Sequence, residues 1–343
     1  AVAWGFRSSH PTEVMAWAVL AGGVAQLAFL IPYLKGVGMT FAPAWSFKDP
    51  HVKAVFSLML PGVLGAGVNQ VIILVGTAMA TFVGEGAVAA LYYANRITEL
   101  SFALFAVSLS TAILPQMSRQ VVTRAMDDLQ QTLRMSLSLI FFGMLPAAVG
   151  LMVLAHPIVR VLLETGRFKA HSVAMTYGPL AAYAAGITVW SLALVLVRVC
   201  HAHRDMIAPF LAGLATLATY VVLGILWLKP YGTTGIAAAS SVSAVVNLGT
   251  LIFILKRKHG IPFPWAWCFK GLARIGALCA VMGVSAWWVF ELIPHGRLLH
   301  AVLALFSAIA VGGLVYFTGA FLFRVQEAQI ALEFVKKRLI RRK

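Results

Sequence analysis

The sequence predicts an all-α polytopic membrane protein with about nine transmembrane helices. Of its 343 residues, 61% are hydrophobic and only 11% are charged, whereas soluble domains carry about 25% charged residues. No soluble fold has enough interior to bury this much apolar surface, so lipid must be the solvent. Apolar runs of about 20 residues, the length that crosses the hydrocarbon core, recur along the chain.

The predicted spans follow one another through short polar connections. They cover residues 14–34, 54–83, 87–115, 136–155, 173–197, 207–228, 235–255, 271–293 and 299–323. Several contain proline or glycine, as at Pro61-Gly62, Pro146 and Gly178-Pro179. Each such site is either an ordinary kink or a broken helix whose freed backbone groups line a cavity.

The basic residues predict the orientation of the chain. A net charge of +16 could indicate nucleic-acid binding, but the basic residues sit singly or in small clusters between apolar runs, which argues against it. If the connection after the first span is cytoplasmic and sides alternate, 20 of the 27 Lys and Arg residues are cytoplasmic and six lie outside. This bias follows the positive-inside rule and places the carboxyl terminus in the cytoplasm.

The last 20 residues, 324–343, form a basic tail. Apolar residues at helical spacing, from Val325 to Leu339, precede and overlap a basic cluster from Lys336 to Lys343. The tail either lies on an anionic inner leaflet or is the solvated end of the last helix.

Two charged residues, Arg96 and Glu99, fall inside the third span. A charge near the bilayer centre costs roughly 2.5–3.5 kcal/mol and usually faces the bundle interior or a wet cavity. Their i, i+3 spacing brings them close enough to pair. The pair either locks helices together or offers Arg96 to a phosphate or carboxylate in a cavity. Asn69 and Gln70, inside the second span, either line that cavity or bond across helices.

Other polar residues carry weaker indications. Asn247 and the serines Ser240, Ser241 and Ser243 are typical of helix packing. Asp205 is expected to cap the helix that begins near Met206. His201 and His203 are two residues apart and do not share a helix face, so a metal site is not expected. The isolated cysteines, Cys200, Cys268 and Cys279, are expected to be packing residues. No motif of a catalytic nucleophile, cofactor or nucleotide site is present.

Four stretches of the sequence, in order, resemble the MurJ/MviN lipid II flippases of the multidrug/oligosaccharidyl-lipid/polysaccharide exporter superfamily. The most specific is LYYANRITELSFALFAVSLSTAILPQMS, from Leu91 to Ser118, which is similar to the family's Y-Y-A-D-R-L signature followed by L-L-P-x-L-S. The others are Leu60 to Gln70, Leu163 to Phe168, and Arg198 through Asp205 to Pro209.

The resemblance implies a domain map and a function. Residues 1–52 would be the last helix of a first lobe and a cytoplasmic linker, and 53–258 the second six-helix lobe. Residues 259–323 would be two further helices that form a groove for a lipid tail, so the chain is expected to be a carboxyl-terminal fragment. The family moves lipid II, a polyprenyl diphosphate that carries a disaccharide-pentapeptide, across the bacterial inner membrane by alternating access.

For this chain, the resemblance implies a transporter rather than an enzyme, with membrane lipids and lipid II as partners and no cofactor. Arg96 falls on the motif arginine, on a helix that lines a cationic cavity. Glu99, Asn69 and Gln70 are the other candidate substrate contacts, and Arg198 and Asp205 are candidates for a cytoplasmic gate. The alternatives are an exporter of another lipid-linked saccharide, an exporter of a cationic drug, and a membrane-bound cell-wall enzyme.

The sequence departs from the family pattern at three positions. Asn95 replaces the motif aspartate, and Ser101 stands near a common proline. Gly76 occupies a position at which some members have a carboxylate linked to sodium binding. Sodium coupling through this lobe is therefore in doubt, and proton or membrane-potential coupling stays open.

Overall fold

The computed structural model describes residues 11–36, 38, 50–164, 168–294 and 298–323. Every regular element in these ranges is helical, which confirms the all-α prediction. The helices are α1 (Pro11–Gly36), α2 (Pro50–Thr81), α3 (Ala87–Ser101), α4 (Ser108–Val122), α5 (Met126–Val153), α6 (Ala155–Leu163), α7 (Ala170–Ala202), α8 (Ile207–His259), α9 (Trp265–Leu292) and α10 (Leu298–Leu322). The chain divides into two compact units, Ala1–Phe56 and Ser57–Lys343. The first unit contains α1.

Seven stretches of helix in the described ranges are long and apolar enough to cross a membrane, and α2 has a shorter apolar stretch, Gly67–Thr81. The 53-residue α8 would be about 80 Å long if it were straight, more than twice the thickness of a bilayer core. Gly232 interrupts it with φ 53° and ψ −131°. Asn247 then donates a hydrogen bond back to Thr216, at 2.8 Å, so the two halves form a hairpin. Each predicted span thus falls on a helix.

Apolar side chains between α4, α5, α7, α8 and α9 form the main core of the second unit. Leu137, Leu196, Leu251 and Ile275 are buried there. Helix α10 joins this core through Tyr316, whose hydroxyl donates to the carbonyl of Phe142 in α5 at 2.7 Å. The three cysteines are free and buried, as predicted.

Small side chains let α7 and α8 approach closely. The Ser241 hydroxyl of α8 lies over Gly186 of α7 and donates to the Ala182 carbonyl at 2.6 Å. Both α5 and α7 continue through their internal prolines, Pro146 and Pro179, rather than breaking there.

Two features were not predicted. A π-helical segment, Phe102–Val107, joins α3 to α4 inside the predicted third span, and its Phe105 ring packs against Gly143 of α5. The nine-residue α6 lies in a predicted connection and is too short to span a bilayer. The predicted tail helix, most of the linker after α1 and residues 165–167 of one quoted motif lie outside the described residues.

Candidate functional site

A cavity of about 470 Å³, here called the central cavity, lies between α2, α3, α7 and both halves of α8. Its polar lining comes from three of these helices, α2, α3 and α8: Asn69, Thr77, Asn95, Thr98, Glu99 and Ser240. Aromatic side chains complete much of the wall: Tyr92, Phe102, Tyr183, Trp190 and Tyr220. Polar groups distributed over an aromatic wall are typical of a site that orients an amphipathic ligand.

Arg96 and Glu99 form the ion pair that their spacing predicts. The Nη1 atom of Arg96 lies 2.7 Å from Oε2 of Glu99. The guanidinium also lies over the Tyr92 ring, with 5.1 Å between Cζ and the ring centroid. Glu99 and Tyr92 line the cavity and hold the cation beside it, although Arg96 is not itself a lining residue.

The pair is accessible rather than buried, with 57% of the Arg96 side chain and 49% of the Glu99 side chain exposed. An exposed ion pair of this kind contributes little to stability, because water screens the attraction between the two charges. Because a charged pair on a membrane-spanning helix is costly against lipid, its exposed side must face water or another polar surface. The geometry therefore favours the interpretation in which Arg96 is an accessible cation. It disfavours the alternative, in which the ion pair is buried and holds helices together.

Of the other polar residues singled out in the sequence, some line the cavity and others do not. Asn69 lines the cavity with Glu99, whereas Gln70 is exposed and not part of the lining. Asn247 bonds across the α8 hairpin, which agrees with a packing role, and Ser240 faces the cavity although it was expected to pack.

Gly76 allows α2 to approach α8 at the cavity wall. A Cβ atom at this position would meet the hydroxyl of Tyr220, which is itself 4% exposed. Any larger side chain here would have to displace that ring. The space beside Gly76 is thus occupied by a tyrosine hydroxyl from another helix.

Asp205 and Arg198 lie away from the cavity, at the junction of α7 and α8. The Oδ1 atom of Asp205 accepts hydrogen bonds from the backbone N–H groups of Ile207 and Ala208, both at 3.2 Å. This confirms the predicted helix cap. Arg198 donates from Nε to the Ser110 hydroxyl at 3.4 Å and so connects α7 to α4.

Asp205 also ties the start of α8 to its end. Its Oδ2 atom lies 2.8 Å from Nζ of Lys258 and 2.9 Å from Nε2 of His259. Burial alone would raise the pKa of Asp205, but hydrogen bonds from Lys258, His259 and the Ala208 N–H outweigh it and lower the pKa to about 2. The carboxylate is therefore ionised at neutral pH.

The histidines near this junction do not form a metal site. His203 bonds through Nδ1 to the Val199 carbonyl at 2.9 Å, and its ring packs against His259 with 4.4 Å between centroids. In the part of the chain that the structure describes, no group of three or more His, Cys, Asp or Glu residues could hold a metal ion.

Sequence reasoning missed most of the cavity wall. Tyr183, Trp190 and Tyr220 sit in long apolar runs whose rotation about the helix axis is set by packing. The tyrosines themselves could have indicated the cavity, since a hydroxyl in a membrane helix usually requires a polar neighbour.

The spans and the polar cavity between them define a polytopic helical membrane protein. The model of the family described as "Lipid II flippase MurJ" matches residues 2–307. The chain belongs to this family.

Comparisons with individual relatives give the same family. The chain is 31% identical to the probable lipid II flippase MurJ of Vibrio cholerae, over 82% of this chain and 55% of that protein. It is 30% identical to the lipid II flippase MurJ of Burkholderia cenocepacia, over 88% of this chain and 61% of that protein. The chain thus spans a little more than half the length of these relatives.

Solved structures share the fold. An inward closed conformation of the lipid II flippase MurJ aligns with a TM-score of 0.67 and 25% identity, over 82% of this chain and 56% of that one. An outward-facing multidrug transporter of the MATE family aligns with a TM-score of 0.53 and 17% identity, over 81% of this chain and 67% of that one. The second likeness concerns the fold alone.

Proposed function

We propose that the chain acts in the transport of lipid II from the cytoplasmic to the outer leaflet of the bacterial inner membrane. The observation that carries this proposal is Arg96, an accessible cation beside a polar cavity on the motif helix of a lipid II flippase family member. Lipid II offers a diphosphate, which is the group that an arginine fork recognises best.

Arg96 would recognise the diphosphate by changing partners. In the structure its guanidinium is held by Glu99 and Tyr92. A diphosphate carries more negative charge than one carboxylate, and the effective dielectric constant beside a protein cavity is lower than in water. The ligand would therefore replace Glu99 as the partner of Arg96, and the Glu99 side chain would move away.

The remaining polar lining would orient the head group. Asn69, Asn95 and Ser240 offer donors and acceptors from three different helices. Transport breaks no covalent bond, so the site needs no nucleophile or general base. The family match supports a transporter rather than a membrane-bound enzyme.

The rest of the map follows as part of the same proposal. Residues 53–258 act as one lobe, the α9–α10 pair provides a groove for the polyprenyl tail, and the carboxyl terminus is cytoplasmic. The Arg198 and Asp205 junction then lies at the cytoplasmic end, where it could contribute to a gate. The excess of basic residues on that side supports this orientation.

The test is rescue after depletion. The gene that encodes this chain is expressed in a bacterium whose own lipid II flippase can be shut off, and growth and outer-leaflet lipid II are measured. The proposal predicts that both are restored. If the protein is present in the membrane and neither is restored, the proposal is wrong and another lipid-linked saccharide becomes the preferred substrate.

A further inference from the structure

A second recess lies beyond Tyr92, at the end of α3 that is predicted to face outward. Its volume is about 610 Å³, and it is bounded by the α2–α3 connection and the first turns of α3. The lining residues Val88 and Tyr92 also line the central cavity, so the two spaces meet at these side chains. The diphosphate contact at Arg96 does not account for this recess.

Aromatic rings form one side of the recess. Tyr92 and Tyr93 are 55% and 40% exposed, and their ring centroids are 5.9 Å apart in an edge-on arrangement. Phe168, from the segment before α7, meets Tyr93 edge-on at the same centroid distance of 5.9 Å. These contacts orient the rings and leave part of each tyrosine free for a ligand.

Glu85 gives the recess its charge and is the only carboxylate among the lining residues that the structure describes. Its negative charge disfavours an anionic group such as a phosphate, and its polarity disfavours a hydrocarbon tail. A carboxylate accepts hydrogen bonds from hydroxyl groups. A neutral sugar ring matches both features, because its hydroxyls can donate to Glu85 while its C–H face packs on a tyrosine ring.

The order of the groups along α3 matches the order of groups in a lipid-linked saccharide. Arg96 and Tyr92 are four residues apart, which corresponds to about 6 Å along the helix. A sugar bonded directly to a diphosphate on Arg96 would therefore lie at Tyr92 and extend toward Glu85.

We propose that the recess formed by Glu85, Tyr92 and Tyr93 is a saccharide subsite. It binds the sugar next to the diphosphate when that diphosphate contacts Arg96. This inference rests on the proposed function, because it assumes that the central cavity receives a polyprenyl diphosphate.

The test compares two lipids that differ only in the sugar. The purified protein in lipid nanodiscs is titrated with undecaprenyl diphosphate and with the same lipid carrying one N-acetylhexosamine. The unmodified protein should bind the sugar-bearing lipid more tightly. Glu85→Gln and Tyr93→Ala should each weaken binding of that lipid by about fivefold, as expected for loss of one hydrogen bond or ring contact. Binding of the bare lipid should not change.

Two controls separate the subsite from the diphosphate site and from general damage. Arg96→Ala should weaken binding of both lipids. Tyr231→Ala removes another exposed tyrosine that is not part of the recess, and should change the binding of neither lipid. Because Glu85 is an exposed side chain between two helices, Glu85→Gln tests the subsite without disturbing the core.

The outcomes are distinguishable. Equal binding of the two lipids by the unmodified protein, or equal effects of Glu85→Gln and Tyr93→Ala on both lipids, would overturn the subsite and leave the diphosphate proposal standing. A preference that appears only when a peptide is added to the sugar would also overturn it. If the protein binds neither lipid, the proposed function fails and the subsite fails with it.

Discussion

Two charged clusters of the second unit, one on α3 and one at the α7–α8 junction, are built in opposite ways. The Arg96–Glu99 pair has side chains that are 57% and 49% exposed, and its described contacts are each other and the Tyr92 ring. The Asp205 side chain is 4% exposed, and it is held by two backbone N–H groups, Lys258 and His259.

The difference indicates what each cluster can do. A buried carboxylate with all its acceptor positions in use fixes the structure around it, because removing any partner leaves an uncompensated charge. An exposed pair loses little when it opens and can exchange one partner for a ligand. We therefore expect substitutions on α3 to affect transport and those at the junction to affect stability.

The largest effect is expected from Arg96→Ala. This variant should abolish growth rescue while its abundance in the membrane stays near normal, because the proposed role of Arg96 is to contact the ligand and its exposed ion pair adds little stability. Arg96→Lys should retain part of the activity, since it keeps the charge but loses the planar fork. Growth is scored beside an immunoblot.

Arg160→Ala is the matched control for that experiment. Arg160 forms a pair with Glu164 at 3.0 Å on α6, outside the cavity. This variant should rescue growth. Normal growth with Arg96→Ala at matched expression would remove Arg96 from the cavity mechanism.

Glu99→Gln is expected to have a smaller effect on transport. The amide holds the guanidinium less firmly, so diphosphate should bind more tightly and release should slow. We expect a severalfold fall in transport rate with normal abundance, measured as outer-leaflet lipid II. A fall in abundance that accounts for the whole loss would instead assign the pair a structural role.

At the junction, Asp205→Asn and Asp205→Ala separate the charge from the helix cap. Asparagine can still cap α8 but loses the charge-assisted bonds to Lys258 and His259, at a cost of about 2 kcal/mol. Alanine loses the cap as well, a further cost of about 1 kcal/mol. Thermal unfolding in detergent measures both, and equal midpoints for the two variants would contradict the cap.

The pH dependence of stability should follow the same carboxylate. Because its pKa is lowered to about 2 in the folded protein, Asp205 contributes stability above its ordinary unfolded pKa, near 4, and loses that contribution as pH falls toward 2. The difference in unfolding midpoint between the unmodified protein and Asp205→Asn should shrink as pH falls from 5 toward 3. A difference that does not depend on pH would exclude the linkage.

The smallest effect is expected from Gly76→Ala, which places a methyl group against the Tyr220 hydroxyl. Overpacking costs typically 1–3 kcal/mol, and we expect the lower end, about 1 kcal/mol, because one methyl group meets one hydroxyl. Tyr220→Phe removes the hydroxyl, so the double variant should recover much of the lost thermal stability. No recovery would mean that the close contact is not the cause.

Local sequence patterns were enough to predict the spans, the Arg96–Glu99 pair and the Asp205 cap. Membrane spans can be recognised directly in the sequence, because the thickness of the bilayer sets the length of their apolar runs. The pair and the cap involve residues two to three positions apart, and helix geometry fixes such contacts. The hairpin in α8 could also be predicted from the sequence, because the segment from Lys229 to Gly232 interrupts the apolar run.

Contacts between residues that are far apart in the chain could not be predicted from the sequence. The partners of Asp205, Lys258 and His259, lie more than 50 positions away. The Tyr220 hydroxyl reaches Gly76 only because of the rotation of α8 against α2. Whether Asn69, Gln70, Arg198 and Asp205 contact a substrate or act as a gate stays a prediction.

The most direct test of the central claim exchanges the charges of the α3 pair. Arg96→Glu combined with Glu99→Arg keeps an ion pair on α3 but moves the guanidinium by three residues. The variant is measured in the depletion strain for membrane abundance and outer-leaflet lipid II. We predict near-normal abundance without rescue, because the cation no longer faces the diphosphate. Full rescue by the exchanged pair would show that only the pairing matters and would contradict a ligand contact at Arg96.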